Sequence, residues 1–155
     1  MSGHAKTRSA IFPFILKIDK SKTMILLSRR QNTGYQDGKW DIAGSGHVDE
    51  NETAKAAAIR ECKEELGINV KAENLSFVHL SHRLSNVGCH RGRIYYDIYF
   101  AVNDYDGEPC IMESDKCAEL AWFPIDNLPT EIIPCRKQDI QNYIDNVPYS
   151  EKIEN

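Results

Sequence analysis

The chain has 155 residues, of which 41% are hydrophobic and 27% charged, an ordinary composition for one compact domain. Its formal net charge of −4 at pH 7 argues against a protein that binds a nucleic-acid polymer, because such proteins carry a basic surface. No apolar run reaches the roughly 20 residues that cross a bilayer, so we expect no membrane partner.

The five cysteines suggest a reducing compartment. They are Cys62, Cys89, Cys110, Cys117 and Cys135. The number is odd and no Cys-x-x-Cys spacing occurs, so neither a disulfide framework nor a zinc finger is indicated. The polar start of the chain, residues 1–10, also lacks the apolar stretch of a secretory signal. We therefore expect a cytoplasmic protein.

The first predicted elements are two strands. Residues 9–18 form a nearly continuous apolar run, which is typical of a strand buried on both faces. Pro13 within this run suggests a sheet edge or a bulge. Residues 19–22 have the composition of a turn and residues 23–28 that of a second strand, so a hairpin is predicted.

A loop, a short strand and a glycine turn come next. Residues 31–39 are rich in Asn, Gly, Gln and Asp, which predicts a loop, and residues 40–42 predict a short strand. The turn after this strand contains Gly44, Ser45 and Gly46. The two glycines permit backbone conformations and close approaches that a side chain would block.

The strongest predicted helix covers residues 53–66. It is rich in Ala, Glu and Lys and ends at Gly67, a residue suited to the position after a helix. Glu61, Glu64 and Glu65 have the spacing i, i+3 and i+4, so their carboxylates project from one face of the helix.

This acidic face has two interpretations. One is a solvated surface on which Lys55, Arg60 and Lys63 supply counter-charges, since charge runs are usually surface. The other is a site for Mg²⁺ or Mn²⁺, which prefer oxygen ligands. The preceding glycine turn favours the metal site, because it could direct a backbone carbonyl toward the glutamates. Metal ions there would neutralise phosphate oxygens and activate a water, and a glutamate could accept its proton.

The rest of the chain predicts three strands and a second helix. The strands cover residues 75–82, 94–102 and 119–123, and the second alternates apolar and polar residues most clearly. Residues 136–145 predict the helix, and the polar tail, residues 147–155, is expected to fray. Strands interleaved with two helices indicate a layered α/β or α+β domain.

One spacing pattern joins the glycine turn to the helix. Seven residues carry it, namely Gly46, Glu52, Arg60, Glu61, Glu64, Glu65 and Gly67. This pattern resembles the Nudix box, G-x5-E-x7-R-E-U-x-E-E-x-G-U, and every fixed letter of the box is present. Cys62 occupies a position that is usually aliphatic in the family, and a free Cys behaves as a small hydrophobe.

The likeness extends from about residue 11 to about residue 129. Residues 40–47 resemble the segment that leads into the box, and residues 107–113 resemble the distal segment of MutT-like members. The resemblance implies an α/β fold, the Nudix-type α/β/α sandwich, with a mixed β-sheet between helices. It also implies a single Nudix hydrolase domain over residues 1–155, with its core at about residues 9–147.

The resemblance implies roles for individual residues. The implied metal ligands are the carbonyl of Ser45 and the carboxylates of Glu61, Glu64, Glu65 and Glu113. The implied catalytic residues are Glu61, Glu64, Glu113 and Arg60. Glu113 is the distal ligand or the general base. Arg60 is expected to orient the glutamates of the box together with Glu52.

Substrate contacts are predicted outside the box. Arg30 matches a substrate-contacting arginine of MutT-like enzymes, and a guanidinium group suits phosphate. Tyr35 and Trp40 are candidates for stacking on a base, although a Trp beside a strand is more often a core residue. We interpret His47 as structural, and residues 85–93 as either a substrate loop or only a connection. The other central histidines, His79, His82 and His90, are interpreted as structural or surface residues.

The leading functional hypothesis is a pyrophosphohydrolase that depends on Mg²⁺, or on Mn²⁺. Its small-molecule substrate is a nucleoside diphosphate linked to another group, with a (d)NTP cleaved to the (d)NMP and pyrophosphate as the favoured case. The alternatives are an ADP-ribose or nucleotide-sugar pyrophosphatase and a non-catalytic nucleotide-binding regulatory module. The intact box glutamates argue against the module. A homodimer is one alternative for the oligomeric state.

Overall fold

The computed structural model describes residues 3–155, so the first two residues of the polar start lie outside it. The strands are β1 (Arg8–Asp19), β2 (Lys22–Arg30), β3 (Trp40–Ile42), β4 (Gly46–His47), β5 (Ser76–Ser85), β6 (Arg93–Val102), β7 (Cys117–Pro124) and β8 (Tyr149–Glu154). The helices are α1 (Ala54–Leu66) and α2 (Pro134–Ile144). Neither helix is long and apolar enough to cross a membrane.

The strands form one mixed sheet between the two helices. Its order is β3-β2-β1-β6-β5-β8, with β4 added to β1 and β7 added to β2. The pairs β1–β6 and β5–β8 are parallel, and the other pairs are antiparallel. One apolar cluster contains the buried face of α1, and a second contains Ile140 of α2. The predicted α/β fold, a mixed sheet between helices, is confirmed.

β1 and β2 stay paired over only part of their lengths. Lys20 and Ser21, with φ angles of 49° and 67°, form the two-residue turn of the predicted hairpin. The pairing runs from Asp19 with Lys22 to Leu16 with Ile25. Beyond it, β1 pairs with β4 and β2 pairs with β3. The sheet therefore opens between the two strands, and the glycine turn that joins β3 to β4 spans the opening.

Pro13 lies in β1, which is a central strand of the sheet. The expectation that Pro13 marks a sheet edge or a bulge is therefore wrong. On one side β1 pairs continuously with β6, and Pro13 is opposite Phe100. On the other side Pro13 lies between the segment that pairs with β4 and the segment that pairs with β2. A residue without an N–H group is tolerated there because one side of the strand is locally unpaired.

α1 has the predicted ends. Thr53 is the N-cap, and its hydroxyl accepts a hydrogen bond from the Ala56 amide at 3.3 Å. Gly67 ends the helix with a left-handed φ of 68°. The buried residues of α1 are Ala57, Ala58, Cys62 and Leu66, and they pack against Ile11 and Ile15 of β1. The carboxylates of the helix therefore lie beside the core.

The tail of the chain does not fray. β8 pairs in parallel with β5, from Leu80 with Tyr149 to Ser85 with Glu154. The ordered sheet thus extends into the polar tail, residues 147–155, which was expected to fray. The expectation was wrong because the inward side chains of β8 are polar and hydrogen-bonded, as when Lys152 donates to Ser81 and Asp139. A hydropathy pattern does not reveal such a strand.

Candidate active site

A cavity of about 650 Å³ lies at the opening between β1 and β2. Its wall combines residues of both strands with the glycine turn, the carboxylate face of α1 and the loop after β2. The segment before β7 and the start of β6 close its remaining sides. A volume of this size suits a small-molecule ligand.

Four glutamates line one part of this wall. Glu61, Glu64 and Glu65 come from α1 and Glu113 from the segment before β7, and Ser45 also lines the cavity. The side chain of Glu61 is 13% exposed and that of Glu64 is 51% exposed. Burial, together with the charges of Glu61 and Glu113, raises the pKa of Glu65 to about 9. The ionised form of Glu65 is therefore disfavoured in the protein alone.

This donor set fits a hard divalent cation. Within residues 3–155, no three His, Cys, Asp or Glu side chains converge on one ready-made ion position. Mg²⁺ does not require a closed cage, because it keeps several waters and binds through one or two carboxylates and substrate phosphates. A cation among these glutamates would favour the ionised form of Glu65, which burial and the neighbouring carboxylates disfavour.

The glycine turn allows the carboxylates to approach its backbone. A Cβ atom at Gly46 would overlap the carboxyl group of Glu61. Gly44 has a φ of 75°, and a Cβ atom there would lie 3.0 Å from Leu66 of α1. Both glycines of the turn are therefore needed, one for the position of Glu61 and one for the backbone path and the packing of α1.

Arg60 fixes the glutamates from outside the cavity. Its guanidinium group donates two hydrogen bonds to Glu52, at 2.8 and 3.0 Å, and one to Glu61 at 2.8 Å. It also donates to Glu64 at 3.2 Å and to the His47 carbonyl at 3.1 Å. The hydrogen bonds from Arg60 lower the pKa of Glu52 to about 2. Arg60 thus links the turn to the carboxylate face of α1.

Arg30 and Tyr35 both line the cavity. Arg30 donates to Asp41 at 3.0 Å and to the Tyr35 carbonyl at 2.8 Å. The Tyr35 hydroxyl donates to Glu154 at 2.5 Å, so β8 supports this wall from behind without lining the cavity. Burial raises the pKa of Tyr35 far above its usual range, which keeps the hydroxyl protonated.

Trp40 does not line the cavity. It is 8% exposed and belongs to the apolar cluster on the α2 side of the sheet. Its ring packs edge-on against Phe123, with the centroids 5.0 Å apart. The proposed stacking role of Trp40 is therefore corrected to a core role, because the short strand β3 turns this side chain into the sheet interior.

A buried ion-pair network behind the cavity was not anticipated. Arg83 contacts Asp97 at 2.6 Å, and Arg136 contacts Asp41 at 3.0 Å and Asp97 at 3.3 Å. Arg83 and Arg136 are each 1% exposed and line the cavity. Burial opposes ionisation of Asp41, but the charges of Arg136 and Arg30 lower its pKa overall. The sequence signal for this network was Asp97, which lies in a strand that alternates apolar and polar residues. The sequence did not identify the partners of Asp97.

Two histidines also line the cavity, namely His47 and His90. His47 lies 3.4 Å from the Tyr95 hydroxyl, in accord with a hydrogen-bonded structural role. His90 was interpreted as structural or surface, and the structure instead places its ring against Tyr35 in the cavity wall. The spacing of the histidines gave no signal for this position. His79 is fully buried against Asp139, and His82 lies on β5 stacked on Tyr96.

The sequence has recognisable relatives. The family model described as NUDIX domain matches residues 7–143. A protein of Bacillus subtilis (strain 168), provisionally named an 8-oxo-dGTP diphosphatase, is 24% identical over 131 residues. The match covers 84% of this chain and 76% of that protein.

Solved structures show the same fold. A MutT NUDIX hydrolase from Burkholderia pseudomallei has a TM-score of 0.73 and 23% identity, over 88% of this chain and 98% of that chain. The NUDIX domain of NrtR from Shewanella oneidensis, solved in complex with ADP ribose, has a TM-score of 0.72 and 14% identity. That match covers 93% of this chain and 90% of that chain. At such identities the likeness establishes the fold alone.

Proposed function

The chain belongs to the NUDIX family, and from this premise we propose that it cleaves a nucleoside triphosphate to the monophosphate and pyrophosphate. Nudix hydrolases act on phosphoric anhydride bonds, so the reaction class follows from membership of the family. The nucleoside triphosphate, ribo or deoxy, is our proposal. The observation that carries it is a single cavity lined by a carboxylate cluster and also by arginines and planar rings.

The proposed cofactor is Mg²⁺, with Mn²⁺ as the alternative. Its proposed ligands are the Ser45 carbonyl and the carboxylates of Glu61, Glu64, Glu65 and Glu113. When bound, the ion neutralises phosphate oxygens and lowers the pKa of a water that attacks phosphorus. The support for this assignment is the oxygen-only donor set and the burial of Glu65 beside two other carboxylates.

The proposed contribution of the side chains is positioning and proton transfer. Glu64 is the most exposed of the three α1 glutamates, and Arg60 donates a hydrogen bond to it at 3.2 Å, so it is available to accept a proton from the attacking water. Glu113 is the alternative acceptor. Arg60 keeps Glu61 and Glu64 in place, which preserves the geometry that the reaction requires.

Arg30 is the proposed phosphate contact. Its Nε and Nη1 atoms are held by the Tyr35 carbonyl and Asp41, whereas its Nη2 has no hydrogen-bond partner among residues 3–155. The side chain is 21% exposed and lines the cavity. A guanidinium group fixed in this way can donate from its remaining nitrogen to a phosphate oxygen with little loss of side-chain entropy.

ADP-ribose or a nucleotide sugar is the second candidate substrate. It is supported by the fold shared with the NrtR domain, which was solved with ADP ribose. A triphosphate is favoured because of the name of the Bacillus subtilis relative. A triphosphate also requires the cavity to accommodate only one organic group, the nucleoside. ADP-ribose carries a second organic group, a ribose, beyond its phosphates.

A substrate panel scored by product identity tests this proposal. The wild-type protein is incubated with the common (d)NTPs, 8-oxo-dGTP, ADP-ribose and a nucleotide sugar, each with and without Mg²⁺. We expect Mg²⁺-dependent release of pyrophosphate from a triphosphate at the highest kcat/KM. Preferential release of a sugar phosphate would support the second candidate and contradict the first. Binding of these ligands without any turnover would contradict both.

A further inference from the structure

Four arginines line the cavity, and one of them has no carboxylate partner. They are Arg30, Arg83, Arg93 and Arg136. Arg83 and Arg136 form ion pairs with buried aspartates. Arg30 is paired with Asp41. Arg93 makes no ion pair with an acidic residue among residues 3–155. A guanidinium group that lines a cavity without a counter-charge can bind an anionic ligand.

β6 holds Arg93 at the cavity wall. Arg93 is the first residue of β6, and it pairs with Ser85 of β5. Residues two apart in a strand project from the same face, so the side chain of Arg93 lies beside that of Tyr95. Its Nη1 donates to the hydroxyl of Tyr95, which is fully buried, at 3.4 Å. Its Nε and Nη2 have no hydrogen-bond partner among residues 3–155. The guanidinium group is thus anchored at one nitrogen and can donate from the other two.

The wall around Arg93 is positively charged. Burial, followed by the charges of Arg8 and Arg93, lowers the pKa of His47. Burial, followed by the charges of Arg83 and Arg93, lowers the pKa of His90 to about 3. Both imidazoles are therefore neutral at physiological pH, and the positive charge of this wall comes from arginines. Such a wall attracts anionic groups.

Arg93 and the carboxylate cluster occupy different parts of the wall. The charge of Arg30 opposes the raised pKa of Glu65, which places Arg30 near the cluster. Arg93 instead contacts Tyr95, whose ring centroid is 5.1 Å from that of His90. The charges of Arg30 and Arg93 both act on His90, so the two arginines occupy neighbouring parts of one wall. The wall therefore leads from the carboxylates past Arg30 to Arg93.

We propose that Arg93 binds the terminal phosphate of the substrate and so makes the protein selective for nucleoside triphosphates over diphosphates. The inference rests on the proposed function, because it names the group of that substrate which Arg93 recognises. The phosphates at the cleaved bond are assigned to the metal ion and Arg30, and the nucleoside is uncharged. The terminal phosphate is thus the remaining anionic group. Recognition of the base or the sugar by Arg93 is the competing outcome.

The test compares Arg93→Gln, which removes the positive charge but keeps hydrogen-bond donors, with Arg93→Lys, which keeps the charge. Arg91→Gln is the matched control, because Arg91 is exposed and does not line the cavity. With Mg²⁺ present, kcat and KM are measured for the preferred nucleoside triphosphate and for the diphosphate of the same nucleoside. Inhibition constants are measured for pyrophosphate and for the nucleoside monophosphate. Thermal denaturation verifies that each variant is folded.

Arg93→Gln is expected to raise KM for the triphosphate by about 10- to 100-fold, the effect of roughly one lost hydrogen bond between charged groups. The inhibition constant of pyrophosphate should rise by a similar factor. The values for the diphosphate and the monophosphate should remain near wild type. Arg93→Lys should lie between Arg93→Gln and wild type, and Arg91→Gln should match wild type. If the wild-type protein does not cleave the diphosphate, the inhibition constant of the diphosphate replaces its KM.

Three outcomes would overturn the inference. They are an unchanged KM for the triphosphate in folded Arg93→Gln, an equal loss on the triphosphate and the diphosphate, and weaker inhibition by the monophosphate but not by pyrophosphate. The second and third would assign Arg93 to the nucleotide end of the substrate. If the wild-type protein cleaves no nucleoside triphosphate, the proposed function fails and this inference fails with it. If it does and Arg93→Gln behaves as wild type, only this inference fails.

Discussion

Gly46 lies against the carboxyl group of Glu61, in space that a Cβ atom would occupy. We expect Gly46→Ala to displace Glu61 and to lower kcat/KM by about 100-fold, since an error of about 1 Å in a catalytic geometry can have that effect. The control is Gly3→Ala, because nothing lies within 4 Å of the added atom there. Steady-state kinetics of both variants test this expectation. A Gly46→Ala enzyme with wild-type kcat/KM would show that the position of Glu61 does not matter.

How well the environment of a residue could be predicted from the sequence differed from residue to residue. The glutamates of α1 could be grouped because helical periodicity alone sets their common face. For Trp40 the sequence left open both stacking on a base and a core position, because the facing of a three-residue strand depends on its partners rather than on its own pattern. His90 could not be found at all, because its contact with Tyr35 comes from packing between two loops.

At the scale of elements, β8 connects the end of the chain to the cavity wall. Glu154 accepts hydrogen bonds from Tyr35 at 2.5 Å, Ser85 at 2.7 Å and Arg83 at 3.0 Å. Burial opposes its ionisation, yet the hydrogen bonds from Tyr35 and Ser85 and the charge of Arg83 lower its pKa to about 2. β8 lies beyond residue 143, where the match to the family model ends.

The lowered pKa of Glu154 predicts a pH dependence of stability. Its folded-state pKa of about 2 is below the unfolded value of 4.5, so its contribution to stability is present above pH 4.5 and is lost as pH falls toward 2. Glu154→Gln should lower the unfolding free energy at pH 7 by a few kcal/mol, since one pKa unit corresponds to about 1.4 kcal/mol. It should also flatten the loss of stability between pH 4.5 and 2.

Urea denaturation at a series of pH values checks this prediction. Glu151→Gln is the control, because Glu151 is on the same strand but is exposed. Wild type and the control should both lose stability steeply below pH 4.5. If Glu154→Gln shows the same pH profile as wild type, the carboxylate of Glu154 does not stabilise the fold through these contacts.

At the scale of the whole molecule, the site forms where the sheet opens between β1 and β2. Both helices, the hairpin turn and every strand except β4 and β8 could be predicted from local patterns, and the layered α/β class followed from the order of these elements. The parallel pairing of β1 with β6 and the partial pairing of β1 with β2 could not, because they depend on contacts between distant segments. The cavity and the Arg83–Asp97–Arg136 network arise from that pairing.

Mg²⁺ should stabilise the whole fold if the glutamates bind it. An ion that binds only the folded state adds about 2.7 kcal/mol at 100 times its Kd, which corresponds to several degrees in Tm. Glu65→Gln should reduce this gain because it removes a proposed ligand, whereas exposed Glu50→Gln should keep it. Thermal denaturation with and without Mg²⁺ is the measurement. An equal gain in wild type and Glu65→Gln would contradict the assignment of Glu65.

The turnover of Glu64→Gln most directly tests the claim that the carboxylate face of α1 carries out the hydrolysis. The variant is assayed with Mg²⁺ on the best wild-type substrate, beside the control Glu73→Gln, an exposed residue outside the cavity. We predict that Glu64→Gln lowers kcat by about 100- to 10,000-fold and that Glu73→Gln has the wild-type value. A folded Glu64→Gln protein with wild-type kcat would contradict the proposed role of Glu64.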